Sequence, residues 1–546
     1  MPQLLNSNTL VAVIGAGSMG AGIAQLAAQS GHSVRLHDAQ AGAGAAALLR
    51  IAADLDGAVK RGKLQPDERD AVLARIAVAE TLEALAGCGL AVEAIVERLD
   101  VKQGLFRALE KVMGPDAVLA TNTSSISITA VAQGLQHPQR LIGWHFFNPA
   151  TRMKLVEVIP GVETDPALVP VMHTLSKAWG KTSVDAPNAP GFIVNRVARP
   201  YYAEGLRLLA ERIAPAPAID RLMVEAGGFA LGPFELMDLI GLDVNLAVTE
   251  SVFQATAYDP RYAPHVIQQE LVRSGRFGRK TGRGFYAHGK DAAPRVVQTV
   301  PAGGAATLPH TLHCAFQPGL LQPLLDRLEA AGVQVTTLES LPDETLALTL
   351  GDVTVRIALT DGRTAAERGA WNDHAIDHTA GHTPGHTPHH APDHSPDHTV
   401  AHTADGTPLL LLDLARDYTT TTHLGATGNV KGAAHLPALA GVLAAANIAL
   451  IELADVAGLA LMRTVCCLAN EAADVMTWTG TTAHDIDTAM VLGTAYPVGP
   501  LAWADALGSA RVATVLANLQ AHYGEVRYRR APALSSARFN NARFHG

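Results

Sequence analysis

Nine residues from the middle of the chain return, in register, near its C-terminus. Gly191, Arg196, Glu204, Ile219, Asp220, Gly232, Pro233, Asp238 and Gly241 recur as Gly458, Arg463, Glu471, Ile486, Asp487, Gly499, Pro500, Asp505 and Gly508, each pair 267 positions apart. Chance does not hold a register over that many positions without a gap, so one unit is present twice. From Ile193 to Gly284 the apolar positions follow a helical pattern with no strand-like run, which makes the repeated unit all-α. The copies differ at a telling place: Asn195 in the first is Met462 in the second. A polar side chain kept in one copy and replaced by an apolar one in the other predicts that only the first faces a reacting ligand.

The segment before the first copy alternates short apolar runs with helical patterns, which predicts a parallel sheet covered by helices. Strands are expected at 9–14, 33–37, 90–96, 117–120, 141–145 and 155–159. The first runs into Gly15-Ala16-Gly17-Ser18-Met19-Gly20, which opens an Ala-rich helix, and Asp38 ends the next strand 18 residues after Gly20. A dinucleotide needs that whole context. Gly15 allows the tight turn, Gly17 lets the backbone approach the pyrophosphate, and Gly20 lets helix pack on strand. The helix start at Ser18 and Met19 offers free N–H groups and positive potential to phosphates. Asp38 can accept from a ribose diol and repel a 2′-phosphate, so NAD is expected rather than NADP. Arg35, three residues earlier, slightly weakens that preference.

His145 stands at the end of an apolar run, and Glu157 follows twelve residues later inside Leu155-Val156-Glu157-Val158-Ile159. If the two meet, the carboxylate fixes the imidazole tautomer and raises the basicity of the free nitrogen. Oxidation of a secondary alcohol needs such a base. Taken alone, the pair would be better explained as a core histidine and an unrelated glutamate.

The ordered blocks GAGSMG, VEAIVERLDVKQGLF, TNTSSISIT, HFFNP with MKLVEVI, APGFIVNR, GPFELMDLIGLD and FGRKTGRGFY closely resemble the L-3-hydroxyacyl-CoA dehydrogenases. The resemblance runs over about 9–287 and, through the second copy, about 436–525. The long form is similar to the bacterial 3-hydroxybutyryl/3-hydroxyadipyl-CoA type, without a crotonase-like segment. By resemblance, His145 is the general base, Glu157 orients it, Ser124 bonds the substrate hydroxyl or the cofactor, and Asn195 helps position the 3-oxygen. Glu97, Lys102, Asn122, Asn148 and Lys280 match positions that contact NAD. The substrate implied is an acyl-CoA, short or bearing a distal carboxylate, in fatty acid or phenylacetate catabolism. Lys60, with Arg61 and Lys63, is a candidate for the CoA phosphates, although a solvated helix face explains it equally. Two rival readings share these motifs: a non-catalytic NAD-binding protein of crystallin-like use, and a dehydrogenase of free 3-hydroxy acids. Short members of the family pair through the helical domain, so the second copy is expected to replace part of that contact; a homo-oligomer is left open.

The whole is expected to be an α/β Rossmann-type NAD-binding domain at 1–187, an all-α domain at 188–290, a small α/β domain at 291–435 and the second all-α copy at 436–546. The small domain carries a tract at 372–406 in which His374, His378, His382, His386, His390, His394, His398 and His402 repeat every four residues. Pro384, Pro388, Pro392 and Pro396 forbid a regular helix there, so the tract reads as a disordered insertion, with no metal site expected. The apolar window 438–451 contains Asn447 and is too short for a membrane span of about 20 residues, so a buried core helix is expected. The net charge of −9 argues against nucleic acid. Four cysteines in 546 residues and an N-terminus without a basic start or long apolar run predict a reduced, cytoplasmic setting without membrane partners.

Overall fold

The computed structural model describes residues 5–290, 292–303, 311–370, 407–540 and 542–546; the histidine tract at 372–406 lies outside them. The first sheet contains β1 (Val11–Ile14), β2 (Val34–His37), β3 (Ile76–Ala79), β4 (Leu90–Glu93), β5 (Val118–Thr121), β6 (Leu141–Phe146), β7 (Leu155–Pro160) and β8 (Thr182–Asp185), in the order β3-β2-β1-β4-β5-β6-β7-β8. β1, β4 and β5 are buried at every position, as a sheet covered by helices on both faces requires. The six expected strands are present. β3 and β8 are the two edge strands: β8 (Thr-Ser-Val-Asp) has no apolar run, and β3 (Ile-Ala-Val-Ala) is short and follows directly on a helix.

The first sheet is not wholly parallel as expected. β7 runs antiparallel to β6, not parallel. Only eight residues separate Phe146 from Leu155, and a parallel return needs a crossover of about a dozen or more. The short return is what sets His145 directly across from Glu157.

The second sheet contains β9 (Leu312–Cys314), β10 (Val335–Thr337), β11 (Thr345–Leu350), β12 (Val353–Leu359), β13 (Leu409–Leu412), β14 (His423–Gly428) and β15 (Ala449–Glu452), in the order β10-β9-β11-β12-β13-β14-β15. This is the serial plan of β2-β1-β4-β5-β6-β7-β8. β14 lies antiparallel to β13 and parallel to β15, as β7 does to β6 and β8. The bounds of β7 and β14 differ by 268 positions, as do the first residues of the helices Leu168–Ala178 and Leu436–Ala445; those of β8 and β15 differ by 267. Only β11 departs, antiparallel to both neighbours where β4 is parallel. The duplication therefore extends from the helical unit back through the sheet.

The expected single helix over 438–451 is corrected accordingly. It is the helix Leu436–Ala445, a turn at Asn447 with φ 56°, and β15. A continuous apolar run hides such a break, and only the asparagine, tolerant of the left-handed conformation, marks it. The boundary expected at residue 436 thus falls inside the second sheet.

The helical copies face each other with reciprocal ion pairs. Arg196 bonds Glu471 at 2.8 Å and Asp474 at 2.7 Å. Arg463 bonds Glu204 at 2.6 Å and Glu211 at 2.8 Å. Arg196 and Arg463 are repeats of one another, as are Glu204 and Glu471. An interface in which i meets j′ and i′ meets j is what a two-fold dimer makes, here within one chain. Among the described residues no helix is long and apolar enough to cross a membrane.

Candidate active site

β1 delivers the chain to the glycine turn, and the helix Ser18–Gln29 leaves it with Gly17 at its N-cap and no side chain capping it. Gly15 has φ 101°, and a side chain at Gly20 would run into the Gly15 carbonyl. These two glycines hold the turn together. Around Gly17 there is open space, so its missing side chain serves an incoming group rather than the fold. Asp38 lies beside the turn, accepting from the Ala16 N–H at 2.7 Å and the Gln40 N–H at 2.8 Å. A bare backbone cradle, uncapped helix N–H groups and an adjoining carboxylate suit the pyrophosphate and ribose of NAD. Arg35, expected to soften the preference, donates to the Ala84 carbonyl.

His145 and Glu157 meet as cross-strand partners, Nδ1 to Oε2 at 2.7 Å, with side chains 7% and 1% exposed. The other glutamate oxygen accepts from the N–H groups of Ile193 and Val194, each at 3.1 Å. An ionised carboxylate only accepts, so the network assigns the proton to Nδ1 and leaves the Nε2 lone pair free. Phe147 and Phe192 flank the ring, centroids 4.5 and 6.0 Å away. Glu157 thus ties the imidazole to the start of the helical domain.

The Ser124 loop is pinned by Glu97, whose Oε1 accepts from Thr123 Oγ1 at 2.6 Å and from the N–H groups of Ser124 and Ser125 at 2.9 and 3.2 Å. Burial works against the charge on Glu97, but Lys102 and these donors outweigh it and hold its pKa below the usual carboxylate value. Asn195 Nδ2 donates to the Ser124 carbonyl at 3.3 Å, joining the helical domain to the sheet. Asn122 Oδ1 accepts from the Phe146 N–H at 2.7 Å and so fixes the strand end that carries His145.

A cleft of about 500 Å³ brings together Met19, Glu97, Asn122, Ser124, His145, Asn148 and Asn195. The three lysines expected to contact ligands are not in its wall. Lys102 is 1% exposed and locked to Glu93 at 2.6 Å and Glu97 at 3.2 Å, so it positions the Ser124 loop rather than meeting a ligand. Lys280 pairs with Asp243 at 2.6 Å. Lys60 is the exposed last residue of the helix Ala43–Lys60. Conversely, the cleft includes Arg199, Tyr202 and Asn245, and Gly493 and Thr494 from the second helical copy. The sequence held a signal for Arg199, one helical turn beyond Asn195; it held none for Thr494.

Among the described residues the second half has no equivalent site. The offset of β6 and β7 onto β13 and β14 carries His145 to Asp413 and Glu157 to Gly425, and the Asp413 N–H bonds the Gly425 carbonyl at 2.8 Å. Asp413 accepts from the N–H groups of Ala460, Leu461 and Met462, the repeats of Ile193, Val194 and Asn195. The strut between sheet and helices survives; the imidazole does not. Burial pushes the Asp413 carboxyl up to about 6 against these donors.

A dinucleotide turn beside a paired imidazole and carboxylate defines an NAD-dependent dehydrogenase. Comparison with known proteins gives the family. The 3-hydroxyacyl-CoA dehydrogenase NAD binding domain matches residues 10–189, and the C-terminal domain of the same family matches 191–288 and again 458–544. The chain is 38% identical over 527 residues to the 3-hydroxyadipyl-CoA dehydrogenase of Escherichia coli K12, covering 96% of each. It is 38% identical over 284 residues to the human mitochondrial hydroxyacyl-coenzyme A dehydrogenase, covering 51% of this chain and 90% of that one. A solved structure of 3-hydroxybutyryl-CoA dehydrogenase from Escherichia coli K12 superposes with TM-score 0.81 at 36% identity, covering 98% of this chain and 99% of that one. The chain belongs to the 3-hydroxyacyl-CoA dehydrogenase family and is an NAD-dependent enzyme.

Proposed function

We propose that the enzyme oxidises an L-3-hydroxyacyl-CoA to the 3-oxoacyl-CoA, with His145 Nε2 taking the hydroxyl proton. NAD, when bound, supplies the hydride acceptor. Glu157 holds the ring in the tautomer that leaves Nε2 basic and stabilises the imidazolium that forms. Ser124 and Asn195 converge on the 3-oxygen and fix its distance from the base. Gly15, Gly17, Ser18, Met19 and Gly20 cradle the pyrophosphate, Asp38 takes the adenosine ribose, and Glu97, Asn122 and Asn148 line the nicotinamide end. The observation that carries this reading is the 2.7 Å His145–Glu157 pair opening into a cleft shared with Ser124 and Asn195.

The substrate we favour is short or carries a distal carboxylate, in keeping with the name of the Escherichia coli relative, and the setting is cytoplasmic breakdown of fatty acids or phenylacetate. The second half serves as a built-in dimer partner; a chain truncated near residue 290 should self-associate more strongly than the full chain by light scattering. Oxidation of NADH by acetoacetyl-CoA, with free acetoacetate as the control, tests the activity. Turnover of the free acid alone, or of neither, would reject it.

A further inference from the structure

Arg199 is a buried cation without a counter-anion. It is 5% exposed, lies four residues beyond Asn195 on a nearly continuous helical path, and lines the same cleft. Its Nε donates to the Asn195 carbonyl at 2.7 Å, and its Nη1 to Thr249 Oγ1 at 3.0 Å and the Asn245 carbonyl at 3.5 Å. The guanidinium carbon sits 4.8 Å from the centre of the Tyr202 ring. Every one of these partners is neutral. Among the described residues no carboxylate lies within ion-pair distance of Arg199, and its Nη2 has no partner.

Other buried arginines of this fold are treated differently. Arg196 has Glu471 and Asp474, Arg463 has Glu204 and Glu211, and Arg140 has Glu110. A buried charge left unpaired is costly, so one maintained at the wall of a substrate cleft marks a place where the ligand brings the anion. With Nε and Nη1 bonded to neutral partners, Nη2 is the donor left to give an incoming carboxylate a charge-assisted hydrogen bond.

Position decides which anion. Asn195 stands where the 3-oxygen is held, and Arg199 lies one helical turn, roughly 5.4 Å, further along the axis. The phosphates of CoA are separated from C3 by the whole pantetheine arm, whereas the terminal carboxylate of a six-carbon dicarboxylic acyl chain is three carbons from C3. Val194, Val244 and Val248 line the cleft and suit the intervening methylenes. Resting on the 3-hydroxyacyl-CoA reading above, we propose that Arg199 is the specificity residue of this enzyme, binding the distal carboxylate of a dicarboxylyl-CoA substrate.

The test compares 3-hydroxyadipyl-CoA with 3-hydroxyhexanoyl-CoA, which match in length and differ in the terminal carboxylate. Wild-type enzyme should favour the adipyl thioester in kcat/KM by about 100-fold, mainly through KM, the scale of removing one member of a buried charged pair. In Arg199→Met that ratio should fall to near one, and Arg199→Lys should restore part of it. Any loss caused by the missing bond to the Asn195 carbonyl affects both substrates and cancels in the ratio. A ratio unchanged in Arg199→Met, or no preference in the wild type, would overturn the proposal. Wild-type enzyme that oxidises neither thioester would instead overturn the functional reading, and this one with it. Should Arg199→Met not fold, inhibition of the wild type by adipyl-CoA and hexanoyl-CoA decides. A tenfold or greater advantage for adipyl-CoA supports the assignment, and equal inhibition refutes it.

Discussion

Replacing Glu157 by glutamine probes the site at its most constrained point. The carboxylate is 1% exposed and makes three contacts, to His145 Nδ1 and to the N–H groups of Ile193 and Val194. An amide keeps one acceptor oxygen and turns the other position into a donor. If the oxygen stays with the two N–H groups, the NH₂ faces Nδ1, and the ring must move its proton to Nε2 to accept that bond. The opposite orientation sets an NH₂ against two backbone donors and is worse. The variant therefore folds with its catalytic lone pair turned away from the cleft. A carboxylate-to-amide change behind a catalytic imidazole costs about 10⁴ in kcat where the tautomer is all that is lost. We expect about 10³- to 10⁴-fold here, or about 4–5.5 kcal/mol of barrier. The assay is NADH formation from a 3-hydroxyacyl-CoA, with NADH binding followed by fluorescence to show an intact cofactor site. Adding His145→Gln to Glu157→Gln should cost little beyond His145→Gln alone, because the two residues act as one unit. A folded Glu157→Gln enzyme within tenfold of wild-type kcat would refute the tautomer argument.

Three further outcomes follow from the same geometry. Gly17→Ala should leave the melting temperature unchanged and weaken NAD binding at least tenfold by calorimetry, since its side chain enters open space, whereas Gly20→Ala should destabilise the fold; a reversed pattern would contradict the cradle. Asp38→Ser should erode the preference for NAD over NADP in steady-state kinetics, and an unchanged ratio would remove its ribose role. Arg463→Met, which takes a fully buried guanidinium away from Glu204 and Glu211, should lower stability by about 3–5 kcal/mol in urea denaturation. A loss below about 1 kcal/mol would show that the interface between helical copies does not depend on its ion pairs.

The parts of this architecture legible in the sequence are those in which residue type and spacing are dictated together. The glycine turn needs three glycines at fixed intervals, and the helical repeat kept Gly191 and Gly458, Arg196 and Arg463 in register. The repeat of the sheet was invisible for the converse reason. Strand order and register survive substitution, so Asp413 and Gly425 now stand where His145 and Glu157 do, and no residue identity betrays it. The antiparallel turn of β7 was present in the eight-residue spacing but masked by the parallel pattern around it. For Lys102, sequence cannot tell a lysine aimed at a cleft from one neutralised beneath it by Glu93 and Glu97. Arg199 stands at a legible helical spacing from Asn195, but its significance lies in a missing acid, which spacing does not record.

The central claim is that His145 removes the alcohol proton in this cleft. Its most direct measurement is kcat for 3-hydroxyacyl-CoA oxidation by His145→Gln, alongside NADH affinity on the same sample. The account predicts a loss of about 100- to 10,000-fold with NADH binding preserved. Turnover near the wild-type rate would contradict it.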